Sequence, residues 1–225
     1  VSAGEAAASL LERFAVWGRY YEATLDGRPF ALRSHLEIVD RSLDARERRG
    51  AAADLVAVMM NPGGSRPLQA LDADGWAPAV PDRTQYQLMK LALRARTLGW
   101  PMRHVRVINL SDLRTPKSAD LFATLAVLRD DRHSIFGARR ADELAGALGP
   151  PEVPVLRAWG LARPLAALAR CAADATASRR VLGLTDDGMF YRHPLPQRAD
   201  LQQAWLDAMT AQVRSRVVEA TATPR

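Results

Sequence analysis

The chain has 225 residues, of which 48% are hydrophobic and 25% charged, with a formal net charge of +6; this length suits one domain with a sizeable core. No apolar run approaches the ~20 residues that a membrane helix needs, and no basic segment followed by an apolar core opens the chain, so a cytoplasmic protein with no membrane partner is expected. Cys171 is the only cysteine, which excludes an intramolecular disulfide and any cluster held by four cysteines of one chain. All basic residues but Lys90 and Lys117 are arginine. Arginine suits bidentate phosphate recognition, so the charge permits DNA as a partner, although a genome rich in arginine codons accounts for it equally well.

In chain order, Leu10, Leu11, Phe14, Trp17 and Tyr21 stand three and four apart, a spacing that predicts an amphipathic opening helix over 3–21. Residues 19–39 mix aromatic and β-branched residues around Asp26-Gly27, which predicts an edge hairpin. The mixed charges from Asp44 to Arg49 read as a solvated helix end or loop. Residues 1–50 together read as a helix-and-hairpin extension to a core over 51–225. Leu55 to Met60 is a short, wholly apolar run, the pattern of a strand buried on both faces. It stops at Asn61-Pro62-Gly63-Gly64, where proline withholds a ladder donor and glycine opens backbone angles that other residues avoid.

About twenty irregular residues follow, 65–83, a length often associated with function. Asp82 or Thr84 caps the next helix, whose Leu88, Leu91, Ala95 and Leu98 share a face before Gly99 and Pro101 end it. His104 to Leu110 is a second strong strand, ending in the polar residues Asn109, Ser111, Asp112 and Arg114. Ser118 is expected to cap a helix to about Asp130. A third strand, Val153 to Trp159, ends at Gly160 and leads into a helix over 162–173. A fourth, Arg180 to Leu184, runs through Thr185-Asp186-Asp187-Gly188 to Met189–Arg192 and then His193-Pro194-Leu195-Pro196. A helix over 199–219 closes the chain. This alternation predicts one three-layer α/β/α domain with a central, mostly parallel sheet.

Open α/β sheets place ligands beyond the carboxyl ends of their strands, and there stand Asn61, Asn109 and His193. The set lacks the Gly-x-Ser-x-Gly elbow of a hydrolase and a P-loop ending. His35, His104, His133 and His193 show no metal-ligand spacing, so no metal or cofactor is expected. Each residue also has a plain structural reading. Asn61 serves as a turn residue before proline, Asn109 as a cap at a strand end, and His193 as a loop histidine bonded to backbone. Asp112 reads as a loop carboxylate paired with Arg114, and Trp76 and Tyr191 as packing groups or as stacking platforms for bases.

Together the three segments resemble the uracil-DNA glycosylase superfamily. Met59-Met60-Asn61-Pro62-Gly63 resembles the Gly-Met-Asn-Pro-Gly water-activating turn of its single-strand-selective and mismatch-type members. Asn109-Leu110-Ser111-Asp112-Leu113 resembles the base-reading Asn-Leu-Cys-Pro-Leu stretch, and His193-Pro194-Leu195-Pro196 the His-Pro-Ser-Pro loop. Val155 to Gly160 is similar to the strand ending in Trp-Gly before that loop. The resemblance covers residues 54–198.

The whole pattern is also similar to the bacterial DUF1643 family, through the Asn61 turn, Asp82-Arg83-Thr84, Val107-Ile108-Asn109-Leu110 and Gly183-Leu184-Thr185-Asp186-Asp187-Gly188 ahead of His193-Pro194. Where the glycosylases carry glycine, Cys-Pro and serine, this chain carries Met59, Ser111-Asp112 and Leu195.

The resemblance implies a glycosylase-like fold and a monomeric, monofunctional DNA glycosylase that leaves an abasic site. Asn61 would hold the attacking water, and His193 would donate to the base oxygen. Met60, Pro62, Gly63, Asn109, Ser111 and Asp112 would surround the flipped base. Gly64, Ser65, Arg66, Pro194, Leu195, Pro196 and Arg198 would meet the DNA, with Arg198 a candidate for insertion into the duplex. The departures from the family motifs imply a damaged or modified pyrimidine rather than plain uracil, such as a modified cytosine of bacteriophage DNA, with a role in defence. The rival expectations are an enzyme acting on free nucleosides or nucleotides and a non-catalytic DNA-binding module.

Overall fold

The computed structural model describes residues 7–49 and 51–222. It is a mixed α/β structure built on one seven-stranded sheet in the order β4-β1-β2-β5-β3-β6-β7. The strands are β1 (Phe14–Leu25), β2 (Arg28–Asp40), β3 (Leu55–Met59), β4 (Trp76–Pro78), β5 (His104–Asn109), β6 (Val155–Arg157) and β7 (Val181–Leu182). Every residue of β3 and β5 is buried; β3 is wholly apolar, as a strand between two helical layers requires, whereas β5 also buries His104, Arg106 and Asn109.

Residue parity sorts the sheet into two faces. Phe14, Val16, Tyr20, Leu36, Ile38, Val105, Val107, Leu55, Ala57 and Met59 pack with α1 (Ala7–Arg13), α3 (Arg83–Thr97) and α7 (Ala199–Ala222). Val56, Val58, Ile108 and Val155 pack on the other face with α5 (Ala141–Leu148) and α6 (Ala166–Ala175). The remaining helices are α2 (Ala45–Arg48) and α4 (Ser118–Val127).

The strand pairings β3–β5, β3–β6 and β6–β7 are parallel, whereas β1–β2, β1–β4 and β2–β5 are antiparallel. The sheet is therefore mixed, and the expected parallel order holds only from β5 to β7. The opening helix is much shorter than expected. Only 7–13 are helical, and Phe14, Trp17 and Tyr21 lie on β1. Burial alternates there, with Phe14, Val16, Gly18 and Tyr20 inward. That period of two, in a stretch rich in aromatics, outweighs the coincidental helical spacing. The part of the expected helix over residues 3–6 lies outside the described residues.

The hairpin turns at Asp26 (φ 47°) and Gly27 (φ 75°), the left-handed pair a two-residue turn demands. It is not an edge hairpin, however. β4 covers β1 and β2 pairs with β5 (Leu36 opposite Val107), so residues 14–40 are part of the sheet rather than an extension to it. Other boundaries shift modestly. Asp82 caps α3 in a full capping box with Gln85, whereas Lys117, not Ser118, holds the N-cap position of α4. Part of the irregular 65–83 stretch supplies edge strand β4.

Candidate functional site

The β3 and β5 ends are tied together backbone to backbone. Met59 pairs with Asn109 in register, Leu110 N–H donates to Met59 O (2.8 Å), and Ser111 N–H donates to Met60 O (3.1 Å). Past the strand, Asn61 Nδ2 donates to Leu113 O (3.2 Å) and Thr115 O (2.8 Å). Two carbonyl partners identify that atom as the nitrogen. No hydrogen bond engages Asn61 Oδ1 among the described residues, and the residue is only half-buried. The side chain is thus anchored through Nδ2, with Oδ1 left as an acceptor. Gly63, at φ 60°, supplies the left-handed angle that turns the chain away below it.

Asn109 is 0% exposed, and neither its Oδ1 nor its Nδ2 has a hydrogen-bond partner. A buried amide left empty costs free energy on the scale of a lost hydrogen bond per atom, and such groups call for a functional account. Arg33 on β2 presents the same anomaly. It is 1% exposed, with Nε and Nη1 unpartnered. Burial pushes its pKa down, while Tyr20, Asp82 and Asp112 oppose the shift.

A register shift at Arg19/Tyr20 places Arg33 opposite Tyr20. Tyr20 belongs to the α3/α7 face, which puts Arg33 on the face that carries Val105, Val107 and, by parity, Asn109. Arg33 N–H donates to Asp112 O (2.9 Å), so Arg33 lies alongside the segment that follows Asn109. Around them, Tyr20 Oη meets Ser65 Oγ at 3.0 Å. Arg114 donates through Nε to Ser65 O (2.8 Å) and lies 5.2 Å over the Tyr20 ring.

His193 enters from the β6 side. Tyr191 O accepts from Gly160 N–H (2.7 Å), Arg192 O accepts from Trp205 Nε1 (3.2 Å), and Pro196 O accepts from Gln202 Nε2 (2.7 Å). The loop is therefore strapped to the end of β6 and to α7. Leu195 N–H donates to His193 Nδ1 at 3.1 Å. That bond requires Nδ1 to be unprotonated, which leaves Nε2–H as the donor of the neutral ring. Burial pushes the His193 pKa down, and the Asp82 carboxylate partly opposes this. Asp82 thus acts on both Arg33 and His193 from the start of α3. His193 also lines a cavity of about 630 Å³ with Thr185, Asp186, Leu161 and Trp205.

The other expected site residues divide. Ser111 is buried, with its Oγ 3.1 Å from His133 Nδ1. Asp112 pairs with Arg140 Nη1 (2.6 Å) and accepts from Tyr21 Oη (2.9 Å) rather than pairing with Arg114. Its Oδ1 is buried without a partner, and burial raises its pKa to about 6 against the pull of Arg140. Met60, Pro62, Gly64, Ser65 and Arg66 follow the β3 end, with Gly64 and Arg66 exposed. Pro194 is buried, Leu195 and Pro196 are half-buried, and Arg198 is exposed in a pair with Asp200 (2.6 Å).

Trp76 and Tyr191 are packing groups. Trp76 is buried beside the Arg49 guanidinium (5.3 Å), and Tyr191 meets Trp159 edge-on at 5.1 Å. Sequence reasoning missed Arg33 and Tyr20. Asp82 was legible as a helix cap and as part of the Asp82-Arg83-Thr84 segment, but not as a charge near His193.

Among the described residues, no group of three His, Cys, Asp or Glu side chains is arranged to hold a metal ion, and no helix is long and apolar enough to cross a membrane. Comparison with family models, curated proteins and solved structures finds no match.

Proposed function

We propose that the protein is a monofunctional DNA glycosylase that hydrolyses the N-glycosidic bond of a modified or damaged pyrimidine. The observation that carries this reading is Asn109. It is a fully buried amide with donor and acceptor both unspent, at a strand end joined in register to the Asn61 turn. An amide so placed matches the hydrogen-bonding edge of a base flipped out of the stack. The sequence resemblance of the Asn61, Asn109 and His193 segments to the uracil-DNA glycosylase superfamily supports the same reading.

In this account Asn61 Oδ1 orients a water towards C1′ of the sugar. As the C1′–N bond breaks, its electron pair goes to the base, and positive charge grows on the sugar. Nε2–H of His193 donates to a base carbonyl as that oxygen gains charge. The water oxygen bonds to C1′, one of its protons is released, and the departing base takes up a proton. An asparagine is a weak base, so the acceleration comes chiefly from charge stabilisation on the two fragments. The net charge of +6 favours a polyanionic substrate over a free nucleoside.

The test is a panel of DNAs carrying uracil, hydroxymethylcytosine or glucosylated hydroxymethylcytosine, incubated with the protein and treated with alkali. Strand breaks at the modified position support the proposal. Turnover of free nucleosides with intact DNA contradicts it.

A further inference from the structure

The mechanism above leaves unused a buried cation that also lacks side-chain hydrogen-bond partners. Arg33 sits on the same sheet face as Asn109, on the neighbouring strand and alongside the 109–112 segment. Two of its guanidinium nitrogens are buried without partners. Among the described residues, the other two arginines that are buried as residues are satisfied, and Arg49 and Arg96, which also carry buried nitrogens without hydrogen-bond partners, are paired with Asp72 and Asp40. Arg106 bonds Glu37 and four backbone carbonyls, and Arg157 bonds Thr176, Ala173 O and Tyr191. A desolvated guanidinium with no hydrogen-bonded carboxylate is costly even with the Asp82 and Asp112 charges acting on it, and folding alone gives no reason to keep one. Two unsatisfied buried groups, one cationic and one amide, on one face of neighbouring strands make a candidate recognition pair. It suits a flat ring that offers acceptors to Arg33 and both an acceptor and a donor to Asn109.

We infer that Arg33 is a catalytic residue of this site, a fixed cation that takes up the negative charge of the departing base. The inference rests on the glycosylase reading and adds to it a substrate class: a base that leaves as an anion delocalised over ring carbonyls. When the C1′–N bond breaks, its electron pair spreads onto the base oxygens. His193 meets that charge with a neutral N–H, and Arg33 meets it with a full positive charge in a water-poor setting, where such a contact is strongest. Arg33 transfers no proton. The base is neutralised afterwards by a proton equivalent to the one lost from the attacking water.

The experiment uses the full chain and two small probes of similar shape, barbiturate, which is anionic at neutral pH, and uracil, which is neutral. Affinities are measured by calorimetry for the wild type, Arg33→Lys and Arg33→Met. The wild type is expected to prefer barbiturate by about tenfold or more, as a charge-assisted contact implies. Arg33→Lys is expected to keep part of that preference, and Arg33→Met to abolish it. Equal binding of both probes by the wild type, binding of neither, or a preference that survives in Arg33→Met overturns the inference.

If Arg33→Met fails to fold, the wild type alone decides. Across 5-substituted uracils of increasing acidity, affinity must rise with the ionised fraction, and a flat series overturns the inference. The DNA panel separates the two levels. Arg33-dependent barbiturate binding without abasic product supports the anion site and refutes the glycosylase reading. Abasic product formed by Arg33→Met at an undiminished rate refutes the role of Arg33 and leaves that reading standing.

Discussion

Leu195 N–H donates to Nδ1 of His193 at 3.1 Å, and this one bond fixes which ring nitrogen faces a ligand. Protonating Nδ1 would set two donors against each other, so the fold favours the neutral ring with its proton on Nε2. Burial acts in the same direction. Nitrogen NMR is therefore expected to show the Nε2–H tautomer at neutral pH and a titration midpoint below the ordinary ~6.5 of histidine. A midpoint at or above that value would contradict the assigned role as a neutral donor.

Gly183 links the sheet to the His193 loop. A Cβ at this position would lie 2.7 Å from Arg157 O and 2.5 Å from the Tyr191 ring, and its φ of 150° already disfavours a side chain. Tyr191 O anchors the loop through Gly160 N–H (2.7 Å). Gly183→Ala is expected to cost about 1–3 kcal/mol of stability in urea unfolding, as overpacking does. It is also expected to lower cleavage of the proposed substrate by displacing His193, whereas Gly64→Ala, where only Pro116 side-chain atoms approach a Cβ, at 3.7–3.8 Å, should leave stability nearly unchanged.

Glu37 is 0% exposed and holds Arg106 Nε through Oε1 (2.7 Å) and His104 Nε2 through Oε2 (2.6 Å). These three side chains bridge β2 and β5 on the face opposite Arg33 and Asn109. Removing one member of a buried charged group strands the others, which costs about 3–5 kcal/mol. Glu37→Ala is expected to lose that amount in equilibrium unfolding. A loss below about 1 kcal/mol, the scale of an exposed pair, would show that the cluster is solvated in solution.

His35 is held neutral by burial. Burial lowers its pKa to about 4 against the pull of Glu37. In the folded chain it stays neutral, while in the unfolded chain it takes up a proton near ~6.5. Its contribution to stability is therefore complete above about 6.5 and is lost as the pH falls from there to about 4, amounting to about 3 kcal/mol. Asp112, raised to about 6, runs the other way, because the folded chain binds its proton first. Comparing the wild type with His35→Gln cancels that term. The fall in unfolding free energy between pH 7.5 and pH 4.5 is expected to be about 2–3 kcal/mol smaller in the variant.

Much of this arrangement is legible in the sequence, and the exceptions have physical causes. Leu55–Met59 announced itself as a short, wholly apolar run, and His104–Asn109 through the β-branched Val105, Val107 and Ile108. Asp26-Gly27 announced its turn because few dipeptides tolerate two left-handed residues. β1 was misread because Leu10, Phe14, Trp17 and Tyr21 satisfy helical spacing while Phe14, Val16, Gly18 and Tyr20 satisfy the strand period. Only cross-strand pairing decides between the two. α5 went unseen because Ala141–Leu148 is short and contains Gly146.

The site divides in the same way. Asn61, Asn109 and His193 stand at strand ends, where polar residues after apolar runs are conspicuous. Arg33 was invisible because strict alternation from Leu36 would turn it to the opposite face with His35 and Glu37. The shift at Arg19/Tyr20 reverses it, and a register shift leaves no mark in the sequence.

The measurement that bears most directly on the central claim is release of free base from modified DNA, followed by mass spectrometry for the wild type and for Asn61→Ala. The variant loses two hydrogen bonds to backbone carbonyls, a change of about 1–3 kcal/mol that the fold should survive. A free base and an abasic strand are expected in equal amounts from one modified substrate, with the rate falling on the order of 10²–10³-fold in Asn61→Ala. Base release at an unchanged rate in that variant, or no release from any DNA by the wild type, would contradict it.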